Sequence, residues 1–147
     1  MDAISLPQST WEIIGRLLLA MLLGGAVGAN RERQGKPAGV RTHALVSLGA
    51  ALFAIVGLLL GPEEPSATSR ILQGITAGIG FIGAGVIMRR PELQDVQGLT
   101  TAAAIWVVAA VGVGAGVGLW QTSLTALALT LIVLGLGERV DRWLHKG

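Results

Sequence analysis

The chain has 147 residues, of which 52% are hydrophobic and 14% are charged, and its formal net charge is +2. Soluble domains carry about 25% charged residues, so the composition excludes a water-soluble globular protein, and so small a positive surplus gives no support for nucleic-acid binding. The absence of cysteine excludes disulfides, thiol catalysis and thiolate metal sites.

Long segments without charge predict five membrane-spanning helices. About 20 apolar residues in a helix cross the hydrocarbon core of a bilayer, and the last uncharged segment, 99–137, is long enough for two spans. Gly118 and Trp120 mark the turn between those two spans. We therefore predict an all-α polytopic membrane protein with one transmembrane domain, residues 1–147. Its five predicted spans cover about residues 11–29, 42–61, 71–88, 99–117 and 119–137.

The first predicted span contains a single charged residue, Arg16. Glu12 lies four residues before it, and a glutamate in that position can pair with an arginine on the same helix. Arg16 is also near enough to the helix start for its side chain to reach the membrane surface. We expect pairing and this snorkelling rather than an ion pathway. We expect no cleaved signal peptide, because no basic residue precedes Arg16, although AVGAN at 26–30 resembles a cleavage site.

The loop between the first and second spans, NRERQGKPAGVR, is rich in basic residues. Two interpretations stay open: these residues anchor the chain at the cytoplasmic surface, or Glu32, Arg41 and His43 form a specific polar site there. The second rests on a helix face that begins at His43 and continues through Ser47 and small residues, as is typical of a bundle interior. The candidate residues for this site are Arg31, Glu32, Arg33, Lys36, Arg41, Thr42, His43, Asp95, Thr100 and Thr101.

The third predicted span contains GIGFIGAG at 78–85, which has the G-x-G-x-x-G spacing of dinucleotide-binding loops. That fingerprint requires a preceding strand, and RILQGITA before it continues an apolar helix instead. Glycines at four-residue spacing allow membrane helices to approach closely, so we predict packing surfaces rather than a nucleotide site. The predicted packing glycines are Gly24, Gly28, Gly74, Gly78, Gly80, Gly83, Gly85, Gly112 and Gly116.

Polar side chains on the third and fourth spans have two alternative roles. Gln73 and Thr76, and also Gln97 and Thr101, lie close to small residues on single helix faces. Interhelical hydrogen bonds from such side chains stabilise membrane bundles by roughly 0.6 kcal/mol each. Together with His43 they would instead line a shallow polar cavity that opens to the cytoplasm.

The positions of Lys and Arg predict the orientation of the chain. Nine of the eleven basic residues follow the first, third or fifth span. The other two are Arg16 and Arg70. These three regions share one side of the membrane if there are five spans. The positive-inside rule then predicts an outer N-terminus and a cytoplasmic C-terminus.

A shift of 59 residues aligns residues 24–51 with residues 83–110 without a gap. The alignment matches Gly24 with Gly83, Arg31 with Arg90 and Thr42 with Thr101. Two interpretations stay open: a parallel repeat of spans one–two and three–four about an axis along the membrane normal, or chance similarity in a chain rich in glycine and alanine. A repeat would bring the two basic loops together and leave the fifth helix outside the pairing.

Three segments resemble, in order and spacing, the signature blocks of the MgtC/SapB family: ANRERQGKPAGVRTHALVSLGA, GIGFIGAGVIM and VQGLTTAAAIWVVAAVGVGAG. The resemblance extends from about Arg16 to Gly118. It implies a multi-pass bacterial inner-membrane protein associated with low-magnesium physiology and, in some members, with virulence or with membrane machinery such as the ATP synthase. Because the chain ends at Gly147, we expect no cytosolic C-terminal domain of the kind many members carry. Thr100 and Val107 stand where virulence-type members often have Asn and Cys.

A magnesium pathway is the function that the family name suggests. Mg²⁺ prefers oxygen ligands that include one or two carboxylates, and the interiors of the predicted spans contain no Asp or Glu, which leaves Glu32 and Asp95 in the inner loops as weak candidates. We expect neither an enzyme nor a bound cofactor, because no nucleophile–base pair or cofactor motif is present. We expect a regulatory or interaction protein linked to magnesium limitation and membrane homeostasis, which contacts lipid and its own copies or other membrane proteins. The alternative is a small homo-oligomeric transporter of an ion or solute.

Overall fold

The computed structural model describes residues 4–61, 65–90 and 95–144, and the side chains at 65, 88–90, 95 and 138–144 lie outside this description. The described residues form five helices and two short strands. These elements are α1 (Thr10–Arg33), α2 (Val40–Leu60), α3 (Pro65–Val86), β1 (Met88–Arg90), β2 (Asp95–Gln97), α4 (Leu99–Gly116) and α5 (Trp120–Leu144).

Four of these helices are long and apolar enough to cross a membrane: α1, α2, α4 and, in α5, the segment Trp120–Gly137. The prediction of five helices is confirmed for the described part of the chain. A membrane-spanning role for α3 stays a prediction, because this helix is not among those four. The orientation predicted from Lys and Arg also stays a prediction.

The boundaries of α1 differ from the sequence prediction. Ser9 caps the helix, with its hydroxyl accepting a hydrogen bond from the backbone N–H of Glu12 at 3.2 Å, as is typical of an N-terminal serine cap. At its other end α1 continues to Arg33, past the predicted end at residue 29. Arg31, Glu32 and Arg33 are therefore helical residues rather than loop residues, and the direction of each side chain is set by the helix.

A small antiparallel ribbon joins α3 to α4, where the sequence predicts a loop. Met88 pairs with Gln97 and Arg89 with Val96. The ribbon ends at Gly98, which has a left-handed backbone conformation (φ 92°) and lies so close to the carbonyl of Val86 that a Cβ would overlap it. Only glycine adopts this conformation without strain. The prediction missed the ribbon because strands of three residues leave no periodic pattern.

The centre of the bundle consists of α2 and α4, and α1 packs along both of them. Ala51, Ala104 and Val108 are among the buried residues of this centre, and such small side chains allow membrane helices to approach closely. The two outer helices lie on different pairs of inner helices: α3 on α2 and α4, and α5 on α4 and α1.

Glycines bring the three inner helices into backbone contact. A Cβ at Gly24 would lie 2.5 Å from the carbonyl oxygen of His43, and a Cβ at Gly28 would lie 2.6 Å from the Cα of Val40. Gly112 and Gly116 of α4 make equally close contacts with the backbone of α2. At these four positions the helices pack as the glycine spacing predicts.

The glycines of α3 make no such close contact within the described chain, so close packing at these positions stays a prediction. A Cβ at Gly74, Gly78, Gly80 or Gly85 would meet no atom within 4 Å, and one at Gly83 would make only an ordinary contact with Ala102 at 3.6 Å. The reason is the position of α3 at the edge of the bundle, where most of its surface is turned away from α2 and α4.

Candidate functional site

Four polar residues of the three inner helices are buried in the bundle: Arg31 and Thr101 where α1 ends and α4 begins, and His43 and Ser47 on the first turns of α2. Arg31, His43, Ser47 and Thr101 are each 2% exposed or less. Polar side chains at such positions in a membrane protein face the bundle interior and are candidates for a functional site. Three of the four, all except Ser47, belong to the set that the sequence predicts.

Arg31 connects the end of α1 to the start of α4. Its Nη2 donates a hydrogen bond to Thr101 Oγ1 at 3.0 Å, and its Nη1 donates one to Gln34 Oε1 at 2.9 Å. The amide of Gln34 is held in turn, since its Nε2 donates to Asn30 Oδ1 at 2.9 Å. Because Arg31 lies in the last turn of α1, the negative end of the helix dipole favours its charge.

His43 and Ser47 lie one turn apart on the buried face of α2, and Ser47 packs against Gly112 of α4. His43 Nδ1 is 3.0 Å from the carbonyl oxygen of Gly39, so a neutral ring donates from Nδ1 and carries its lone pair on Nε2. Among the described residues neither His43 Nε2 nor Ser47 Oγ has a hydrogen-bond partner. A buried polar group left in that state costs about 1–3 kcal/mol, which makes this part of the site the most receptive to a further polar contact.

Glu32 caps the N-terminus of α2. Its Oε2 accepts a hydrogen bond from the backbone N–H of Val40 at 2.9 Å, and its carboxylate lies against Gly39, where a Cβ would overlap it. Gly39 itself offers no side-chain cap, so Glu32 supplies from α1 the negative charge that stabilises a helix N-terminus.

The remaining predicted residues lie outside this buried set. Arg33, Lys36, Arg41 and Thr100 are exposed, and Thr42 is half-buried. The expected site of Glu32, Arg41 and His43 is therefore not assembled, because the backbone of Val40 takes the carboxylate and Arg31 takes the buried position. The side chain of Asp95 lies outside the described residues, as does that of Arg90.

The predicted inner face of α2 is confirmed. His43, Ser47, Ala50 and Ala54 are all buried, as their spacing indicates. Gln34 was not predicted to belong to the site; its position one turn after Asn30 is the only signal in the sequence. The geometry gives no sign of a metal centre, since the described part of the chain contains no group of three His, Asp or Glu side chains placed to hold an ion.

Arg16 lies at the opposite end of α1 and is also buried, with 7% of its surface exposed. The predicted ion pair with Glu12 is confirmed. The predicted snorkelling stays a prediction, and the guanidinium also bonds within the bundle: Nη1 donates to the carbonyl oxygen of Gly116 at 2.9 Å and to that of Ser5 at 2.8 Å. Gly116 is the last residue of α4, and carbonyls in the last turn of a helix lack partners within it, so they draw the guanidinium into the bundle.

Comparison with known proteins shows extensive similarity. The sequence model of the MgtC family matches residues 17–143. Protein SrpB of Synechococcus elongatus is 45% identical, over 99% of this chain and 87% of its own length. Protein MgtC of Salmonella typhimurium is 48% identical, over 80% of this chain and 48% of its own length.

A third relative carries a functional name. The Escherichia coli protein named "Putative magnesium transporter YhiD" is 44% identical, over 85% of this chain and 60% of its own length. The chain thus spans about half the length of the Salmonella relative and most of the length of the Synechococcus relative. No solved structure matches the chain.

Proposed function

This chain belongs to the MgtC family of membrane proteins, and from that membership we propose that it is a regulatory or interaction protein of the bacterial inner membrane, linked to magnesium limitation and membrane homeostasis. It acts through contacts between membrane helices, with lipid around it and with its own copies or other membrane proteins as partners. The proposal assigns no catalytic step and no cofactor to the chain. The name of the Escherichia coli relative supports the link to magnesium.

The observation that carries the proposal is the buried guanidinium of Arg31. It is buried and hydrogen-bonded to Thr101 where α1 ends and α4 begins, so a pathway through the bundle at this point would pass a cationic side chain. The guanidinium is also held by Gln34, and a built-in cationic side chain at this point favours a protein that senses or binds over one that conducts Mg²⁺ through its own bundle.

The second candidate is a small homo-oligomeric transporter. It is favoured by the name of the Escherichia coli relative, "Putative magnesium transporter YhiD". In that function the pathway lies between copies of the chain, away from Arg31, and the solute is Mg²⁺ or another small ion.

Two measurements on one set of variants separate these functions. We expect the chain to restore growth at limiting magnesium in a host that lacks its own copy, while the purified protein in liposomes gives no Mg²⁺ flux above empty liposomes. Arg31→Met should abolish the growth effect at normal membrane abundance, and Arg33→Met, at an exposed position of the same helix turn, should retain it. A Mg²⁺ flux that saturates with concentration and persists in Arg31→Met would replace this proposal with the transporter.

A further inference from the structure

A groove of about 580 Å³ lies between α2 and α3. Its walls are apolar side chains such as Leu45, Phe53 and Ile82, and its floor contains Gly49, Gly74 and Gly78. A Cβ at any of these three glycines would meet no atom within 4 Å. The groove therefore has a floor on which the backbone of another helix can lie closely, and the described chain places no helix there.

A corresponding place between α4 and α1 is filled, by α5. Leu134 of α5 packs with Ala104 and Val108 of α4 and with Val27 of α1, and all four residues are buried. The shift of 59 residues pairs Ala104 with Leu45 and Val108 with Gly49. The two positions that α5 covers on α4 thus correspond to two positions that line the groove on α2. Ala104 is 3% exposed, whereas Leu45 is 66% exposed.

The same shift relates the contacts within the two helix pairs. Gly24 of α1 lies against the backbone of His43 in α2, and Gly83 of α3 lies against Ala102 in α4. Residues 83 and 102 follow residues 24 and 43 by 59 positions each. Each pair therefore crosses at the same residues of the alignment. In this alignment α2 corresponds to α4, and α3 corresponds to α1. The groove on α2 and α3 therefore corresponds to the surface of α4 and α1 that α5 covers.

We propose that a second copy of this chain fills the groove, with α3 of each copy lying in the groove of the other across a twofold axis along the membrane normal. Such an arrangement buries the same surface on both copies and closes as a dimer. It rests on the role in helix contacts proposed above, and it names the surface and the partner.

The exposed surface of α3 supports a second copy as the occupant. Gly74 and Gly78 have no neighbour within 4 Å, and Phe81 is 84% exposed. α3 thus lines the groove and also has an uncovered surface of its own, so α3 of each copy can cover the groove of the other. A lipid acyl chain does not need the close backbone approach that this glycine floor allows, whereas a packed helix does.

Subunit counting by single-molecule photobleaching in liposomes, at decreasing protein-to-lipid ratios, tests the proposal. We expect dimers, and we expect Gly74→Leu and Gly78→Leu each to weaken dimerisation by about tenfold or more. Both variants should keep their helix content and, measured as monomers at high dilution in detergent, their unfolding temperature, because the added side chains meet no atom of their own chain. Gly135→Leu is the matched control: it lies on α5, also with nothing within 4 Å, and should leave the dimer unchanged.

Thiol cross-linking in native membranes identifies the surface, since the chain has no cysteine of its own. Ile82→Cys, on the groove wall, should give a disulfide-linked species of twice the chain mass, and Val133→Cys, 68% exposed on α5, should not. A monomer at every protein-to-lipid ratio would show that lipid fills the groove. A cross-linked species of another mass would show that a different protein does. Either result overturns the proposal, as would equal cross-linking from Val133→Cys, and none of these readouts depends on growth at limiting magnesium.

Discussion

The two helix pairs α1–α2 and α3–α4 have similar sequences, but the two helices of the first pair approach each other more closely than those of the second. In the first pair, a Cβ at Gly24 or Gly28 would overlap backbone atoms of α2. In the second pair, the nearest contact of a Cβ at Gly83 is 3.6 Å, from Ala102. Small residues at four-residue spacing therefore indicate that a close helix contact is available, and the neighbouring helices decide whether it is made within the chain.

The second helices of the two pairs, α2 and α4, also begin differently. α2 begins under a side-chain cap from Glu32, whose carboxylate accepts the N–H of Val40 at 2.9 Å. α4 begins directly after Gly98, which combines a left-handed backbone with a close approach to Val86. The first pair is joined by a side chain across its short loop, and the second by the geometry of its backbone.

Among the variants that test this comparison, Gly24→Leu should have the largest effect on the free energy of unfolding. The new side chain would overlap the carbonyl of His43 and the Cβ of Ser47, so α1 and α2 must separate. We expect the free energy of unfolding to fall by at least about 3 kcal/mol, seen as a lower unfolding temperature in detergent and lower membrane abundance. Gly78→Leu, on α3, should change it by less than about 0.5 kcal/mol. Similar losses in both variants would contradict the difference between the two pairs.

The hydrogen bond from Arg31 to Thr101 joins the two pairs and gives the next largest effect. We expect Arg31→Met to lower the free energy of unfolding by about 2 kcal/mol and Thr101→Val by about 1 kcal/mol, since hydrogen bonds to charged groups are the stronger ones. The double variant should lose about 1 kcal/mol less than the sum of the single losses. Thermal unfolding of all three in one detergent measures this coupling, and strictly additive losses would mean that the bond does not hold the pairs together.

Removal of the Glu32 cap is expected to have the smallest effect. Glu32→Ala should cost about 1 kcal/mol, as loss of a helix cap typically does, and should speed amide hydrogen exchange in the first turn of α2. Glu32→Gln should cost less, because the amide oxygen can still accept the N–H of Val40. Loss of growth at limiting magnesium in Glu32→Gln, at normal abundance, would instead show that the charge of this carboxylate has a role beyond capping.

The sequence predicts the helices well because their signal is local. Uncharged segments long enough to cross a bilayer indicate where helices lie, and the spacing of His43, Ser47 and Ala50 indicates which face of α2 is buried. The choice among basic residues is not local. Arg31 and Arg33 look alike in the sequence, and only the extension of α1 past its predicted end turns Arg31 inward toward Thr101.

The glycines of α3 and the side chain of Arg16 show the same limit. Gly74 and Gly24 carry the same small-residue signal, but their surroundings depend on helices that are distant in sequence. The partner of Arg16, the carbonyl of Gly116, lies 100 residues away. Sequence spacing describes one helix at a time, whereas these contacts depend on how several helices are arranged.

The bond between Arg16 and Gly116 also sets an order of events during biosynthesis. A ribosome adds about 5–20 residues per second, so the 100 residues between the two partners take roughly 5–20 s to be made. During that interval Glu12, one turn away on the same helix, is the ion-pair partner that has already been made. The closure of the bundle at this end waits for the last turn of α4.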